Sequence, residues 1–104
     1  MGIDNYEIIA TANAKEDLEK IYKYISQKLL EPTIADKLVK KIKQKILNLE
    51  KNPYICTEVQ IKPHNDVYRK LVIDNYIALY EVNEENKKVI VYDIIYNRMD
   101  YLNF

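Results

Sequence analysis

The stretch from Val67 to Tyr96 limits what this chain can fold into more than any other. It holds three strand-like runs, "VYRKLVI", "NYIALYEV" and "KVIVYDIIY". Each is rich in β-branched and aromatic residues, the side chains that suit a pleated surface. The first two are separated by little more than Asp74-Asn75, a short-hairpin signal. The polar turn "NEENK" joins the last two. The expected product is a three-stranded antiparallel meander. In the last run, Val89, Val91 and Ile95 point one way with Asp93 among them, and Ile90, Tyr92, Ile94 and Tyr96 point the other. Both faces are then largely apolar or aromatic, unlike the alternation of a half-solvated sheet. The face left uncovered needs the chain's own tail, a second copy or a partner to cover it.

The segment before the meander reads as one strand and two helices. "NYEIIATA" (Asn5 to Ala12) is strand-like. Asn13 and Glu16 have capping-box spacing. Ala14, Leu18, Ile21, Tyr22, Ile25 and Leu29 then recur at helical spacing, which predicts a first helix from Ala14 to Leu29. Pro32 suits the first turn of a second helix, with a stripe of Ala35, Leu38, Val39, Ile42, Ile46 and Leu49. "KNP" stops it at Asn52 and Pro53. Two such helices with a short joint form an antiparallel hairpin that covers one sheet face. The segment "YICTEVQIKPHND" connects to the meander, with an extended piece at Glu58 to Ile61. The fold class is α+β in the order β-α-α-β-β-β, an antiparallel sheet with a helical hairpin on one face, in a single domain over residues 1–104.

Composition narrows the function classes. The formal net charge is +0, whereas a dedicated phosphate-backbone binder is usually basic as a domain. The single cysteine, Cys56, allows no internal disulfide, and there is no Cys/His cluster for zinc. Cys56 fits as a small packing residue in a reducing cytoplasm. No metal and no cofactor are expected. No apolar run approaches membrane-spanning length, and the start of the chain lacks a signal-peptide pattern, so no membrane association is expected. Lys37, Lys40, Lys41, Lys43, Lys45 and Lys51 make the second helix locally basic, in keeping with a solvated face opposite a buried one.

Four motifs in order carry a resemblance: "LNLEKNP", "YRKL", "NYIALYEV" and "YNRMDY". Together they resemble the RelE/ParE superfamily of bacterial type II toxins, over essentially the whole chain. The resemblance implies a toxin that a cognate antitoxin neutralises, and it leaves two activities open. RelE-like members cleave messenger RNA in the ribosome without a metal. ParE-like members poison DNA gyrase and cut nothing. RelE-like members carry an arginine directly after the tyrosine that heads the middle strand; Ile77 stands there, and an isoleucine cannot donate to a phosphate.

The resemblance also marks site residues. Arg98 lies where RelE-like members place a catalytic arginine, and Arg69 matches the "R.L" position. A nuclease would draw on Arg98, Arg69, His64 as general base and Tyr101, with Lys62 and Lys70 near the same cleft. Structurally, Arg69 is instead expected to pair across the sheet with Asp93 or Asp66, because a carboxylate in an apolar run needs a partner. Tyr76, Tyr80, Tyr92 and Tyr96, with Arg98, suit a partner-binding surface on the uncovered sheet face, since aromatics anchor protein interfaces. The first expectation is a binding-type growth inhibitor with a target such as gyrase. The alternatives are a ribosome-dependent endoribonuclease and an inactive relative that only binds the antitoxin.

Overall fold

The helical hairpin forms much as its two apolar stripes require. In the computed structural model, which describes residues 5–61 and 66–96, its arms are α1 (Ala12–Lys23) and α2 (Pro32–Leu47). Thr11, and not Asn13, caps α1: its backbone is extended and its Oγ1 accepts from the Ala14 N–H at 3.1 Å. Asn13 is drawn away because its amide donates to the Asp93 carboxylate. Beyond Lys23 the helix widens into a π-helical turn, Tyr24–Lys28, in which the Leu29 N–H reaches the Tyr24 carbonyl at 3.1 Å. Leu30 then reverses the chain with φ 56°, a left-handed conformation that glycine adopts without strain. Pro32 opens α2, where its missing N–H costs nothing.

The sheet has five strands, in the order β1 (Glu7–Ala10), β5 (Lys88–Tyr96), β4 (Tyr76–Asn83), β3 (Asp66–Ile73) and β2 (Thr57–Ile61). The β3, β4 and β5 meander is antiparallel, as expected, and β2 adds antiparallel to β3 where the extended piece was read. β1 pairs parallel to β5, so the sheet is mixed. A first strand followed by two helices re-enters at the far edge, and the meander then returns to lie beside it. Asp74 takes φ 53° in the two-residue turn between β3 and β4, a conformation that Asp tolerates better than most residues.

One irregularity changes which side chains share a face. Leu79 pairs with Asp93 but Tyr80 pairs with Val91, so Tyr92 is an extra residue in β5. The bulge flips the phase of everything after it. Val89, Val91 and Ile94 therefore lie together under the helices, and Ile95 joins Ile77, Leu79 and Val59 on the other face. Strict alternation, which separates Ile94 from Val91, fails here for that reason. The start of α1 satisfies the bulge: Thr11 Oγ1 donates to the Tyr92 carbonyl at 3.1 Å, and Asp17 accepts from the Ile94 N–H at 3.0 Å. The main core lies between hairpin and sheet, built on Ala14, Ile42, Leu49, Ile73, Tyr80, Val89 and Val91. No helix among the described residues is long and apolar enough to cross a membrane.

Candidate functional site

Two places on the helix-covered side of the sheet gather the side chains that the sequence singles out. They lie at opposite ends of it.

At the end nearest the β4–β5 turn, Arg69 is held by structure. It faces Tyr80 across β3 and β4 and Glu58 across β2 and β3. Its guanidinium donates to the Cys56 carbonyl at 2.7 Å and to Glu58 at 3.2 Å, and lies 4.9 Å from the centre of the Tyr54 ring. The expected partner was Asp93 or Asp66. Glu58 takes that place because β2 pairs alongside β3 and brings its carboxylate opposite. Asp93 is bonded to Asn13 instead, and burial together with the neighbouring Asp17 raises its pKa above the usual carboxylate range. Tyr80 is 0% exposed, and its hydroxyl donates to the Pro53 carbonyl at 2.6 Å. It is a core residue rather than a surface anchor; burial, the largest cause, pushes its hydroxyl pKa up.

Beside this pair, one carboxylate collects three donors. Tyr6 and Tyr54 both donate to Glu84 Oε1, at 2.7 and 2.6 Å, and Lys87 bonds Oε2. Those contacts, Lys87 first, hold the Glu84 pKa down at about 2. The same carboxylate pushes the Tyr54 hydroxyl up to about 12. This network ties the start of the sheet, the loop after α2 and the β4–β5 turn together.

At the opposite end, between the hairpin tip and the β3–β4 turn, lies an open cavity of about 960 Å³. Tyr76 and Tyr96, two of the expected partner-binding residues, meet here edge to face with ring centres 5.4 Å apart. Burial, with Tyr96 and Tyr24 nearby, raises the Tyr76 hydroxyl pKa. The hairpin side is lined by Tyr24, Ile25, Leu29, Ile34 and Leu38. Tyr24, Leu29 and Ile34 are each more than half exposed, and Leu30 beside them is 76% exposed. The rim carries Lys20, Lys37 and Lys41, the last paired with Asp74 at 2.7 Å. Sequence reasoning passed over Tyr24, Leu30 and Ile34. The available signal was that these large apolar residues lie off both helical stripes.

The face away from the helices is differently built. Ile77 is 1% exposed and packs with Leu79, Val59 and Ile95. Tyr92 lies on this side, with its hydroxyl on Glu81 at 2.7 Å and its ring edge to face with Tyr68. The expected aromatic surface is thus divided. Tyr76 and Tyr96 line the cavity, Tyr80 is in the core, and Tyr92 is on the far face. Arg98, His64, Tyr101 and Lys62 lie outside the described residues. Among the described residues, no group of three or more His, Cys, Asp or Glu side chains converges as a metal site.

Known proteins match this architecture. The profile of the ParE toxin of type II toxin-antitoxin system, parDE, matches residues 8–101. No curated protein matches the chain. Among solved structures, the chromosomal ParDE toxin-antitoxin system from P. aeruginosa superposes with a TM-score of 0.72 at 20% identity, covering 89% of this chain and 97% of that one. The RelBE2 toxin-antitoxin complex from Mycobacterium tuberculosis gives 0.61 at 17% identity, over 91% and 94% of the two chains. The YoeB/ParE toxin from Agrobacterium tumefaciens gives 0.55 at 15% identity, over 86% and 96%.

Proposed function

The chain belongs to the ParE toxin family of type II toxin-antitoxin systems, and from that premise we propose that it arrests growth by binding a protein target of the DNA gyrase type, and that a cognate antitoxin neutralises it. The observation that carries this reading is Ile77. It occupies the position where an RNA-cleaving relative would present a second cation, and it is a buried aliphatic side chain. Metal-free cleavage needs donors on the scissile phosphate that are ready when charge develops there. Arg69 supplies none, because its fork is spent on Glu58 and the Cys56 carbonyl. A toxin that acts by binding needs surface instead, and exposed apolar side chains at the hairpin tip supply it.

The antitoxin half of the proposal draws on the toxin-antitoxin complexes among the solved structures of the same fold. The test is a supercoiling assay. Purified chain added to DNA gyrase is expected to inhibit supercoiling or trap cleaved DNA, and the antitoxin to restore activity. Undisturbed gyrase at saturating chain, with cuts in ribosome-bound transcripts that Arg98→Ala abolishes, would place the chain with the ribosome-dependent nucleases.

A further inference from the structure

The formal net charge of +0 hides an uneven distribution. Helix α2 holds five lysines, Lys37, Lys40, Lys41, Lys43 and Lys45, against one carboxylate, Asp36. That puts +4 on one helix, so the rest of the chain sums to −4. All five lysines are exposed. Lys37, Lys40 and Lys41 lie on the side of the helix opposite the buried Ala35 and Ile42, with Lys43 and Lys45 at its flanks. Among the described residues, Lys41 alone of the five has an ion-pair partner, Asp74 at 2.7 Å.

Folding does not call for this pattern. A solvated helix face can carry both signs, and α1 shows the balanced form: three lysines, three carboxylates and a Glu19–Lys23 pair one turn apart. In α2 the same spacing brings like charges together, Lys37 with Lys41 and Lys41 with Lys45, which repel. The helix dipole favours a cation in the last turn, which accounts for Lys45 and for none of the other four.

Such a face suits a regularly spaced polyanion. The 16 residues of α2 span about 24 Å. Duplex DNA presents one phosphate per ~1.7 Å of its axis. Unpaired bases are held by stacking on aromatic side chains, and α2 has none, so the face suits a duplex backbone better than a single strand. We propose that the lysine face of α2 lies against the phosphate backbone of duplex DNA, the DNA that the gyrase-type target itself holds. The inference rests on the target reading above, and it adds a direct contact between the chain and DNA. A total charge of zero fits that role. The −4 carried elsewhere keeps the free chain a weak DNA binder, and the target brings the lysine face to its DNA.

The first test is fluorescence anisotropy of a short labelled duplex, titrated with the full chain from low to physiological salt. Weak binding is expected, with the logarithm of the affinity falling against that of salt at a slope of about −3.5, as for four phosphate contacts. Lys40→Gln/Lys43→Gln/Lys45→Gln removes three charges and spares Lys37 and Lys41 at the cavity rim, together with the Asp74 pair. Its slope should flatten to about −1. Lys15→Gln/Lys23→Gln/Lys88→Gln, away from α2, changes the net charge equally and should leave the slope near −3.5. Circular dichroism checks that both variants fold. In the supercoiling assay, the α2 variant should need about tenfold more chain for the same inhibition, and the control variant no more than the wild type. Equal flattening by the two variants, single-stranded RNA bound as tightly as the duplex, or no binding even at low salt would each overturn the proposal. So would wild-type inhibition of gyrase by the α2 variant. Gyrase untouched by the wild-type chain would sink the target reading alone, because the DNA titrations need no gyrase.

Discussion

The two ends of the hairpin-covered sheet face spend their side chains in opposite ways. At the β4–β5 end, Tyr6, Tyr54, Tyr80, Arg69, Glu84 and Lys87 are all engaged with one another or with backbone carbonyls. At the hairpin tip, Tyr24, Leu29, Leu30 and Ile34 are left in water. The first end joins three segments distant in the chain, and its polar groups specify how they meet. The second end gains less for folding from Tyr24, Leu29, Leu30 and Ile34, since the half or more of each that is uncovered contributes no hydrophobic stabilisation. Bonded polar groups gather at one end and half-exposed apolar side chains at the other, with Ile55, 69% exposed, the exception at the bonded end.

The most severe way to break that division is at Tyr80. Tyr80→Ala should cost about 3–5 kcal/mol, the range for truncating a buried aromatic. Tyr80→Phe should cost about 1–2 kcal/mol by leaving the Pro53 carbonyl without its donor. Ile34→Ser, at the tip, should change stability by less than about 0.5 kcal/mol. Urea denaturation measures all three. If Ile34→Ser proved as costly as Tyr80→Phe, the two ends would not differ in the way described.

Arg69 comes next. Arg69→Ala should cost about 1.5–3 kcal/mol, because it removes charge-assisted bonds and strands the Cys56 carbonyl beneath a side chain only 19% exposed. Arg69→Lys should recover little, since an ammonium cannot reproduce the fork or its stacking on Tyr54. The sharper expectation concerns activity. Folded Arg69→Ala protein should inhibit its target mole for mole as well as the wild type. Inhibition lost in protein that circular dichroism shows to be folded would make Arg69 part of the functional surface.

The elements were largely legible in the sequence, and how their side chains meet at either end was legible only in part. Hydrophobic periodicity exposed both helices, and Asp74-Asn75 located the hairpin, because those signals are local. The strand phase after Val91 was hidden, since a bulge leaves no mark in composition and arises from how β5 meets β4 and Thr11. Arg69's place in a structural role was readable from the pattern, but its partner was not. Glu58 is chosen by the register of β2 on β3, which no spacing reveals. Tyr80 and Tyr96 look alike as strand tyrosines, yet one is in the core and the other lines the groove. That groove, the open cavity at the hairpin tip, joins stripe residues such as Ile25, Leu29 and Leu38 to Tyr24 and Ile34, which fall off the stripes and which a stripe-based reading discards as surface. The parallel pairing of β1 depends on where the chain returns after the meander, a non-local choice.

Leu30→Gly sharpens the comparison from the other side. Removing the β-carbon from a left-handed position relieves about 1–2 kcal/mol. Glycine returns roughly half of that as extra freedom in the unfolded chain. A net gain of about 0.5–1 kcal/mol is expected, with Leu30→Ala giving none because it keeps the strain. Thermal unfolding of the two variants decides it. Combined with weaker growth inhibition by the Leu30→Gly chain, the gain would identify Leu30 as a residue kept for contact at the expense of stability.

The smallest effect expected is the pH dependence of the Glu84 network, which is exposed and therefore screened by salt. Glu84 titrates at about 2 in the folded chain against an ordinary value of 4.5. Its contribution is complete above 4.5 and fades as the pH falls from there toward 2, because the unfolded chain then takes up the proton first. Tyr54 is shifted the other way, from 10.0 to about 12. Its contribution is complete below 10.0 and fades as the pH rises toward 12. Glu84→Gln removes the charge that causes both shifts. The difference in melting temperature between wild type and Glu84→Gln should therefore be flat through the neutral range and shrink at both extremes. It should also shrink in high salt. A difference that persisted unchanged into strong acid would mean that Glu84 acts through packing, and the bonded end would then owe its order to something other than this carboxylate.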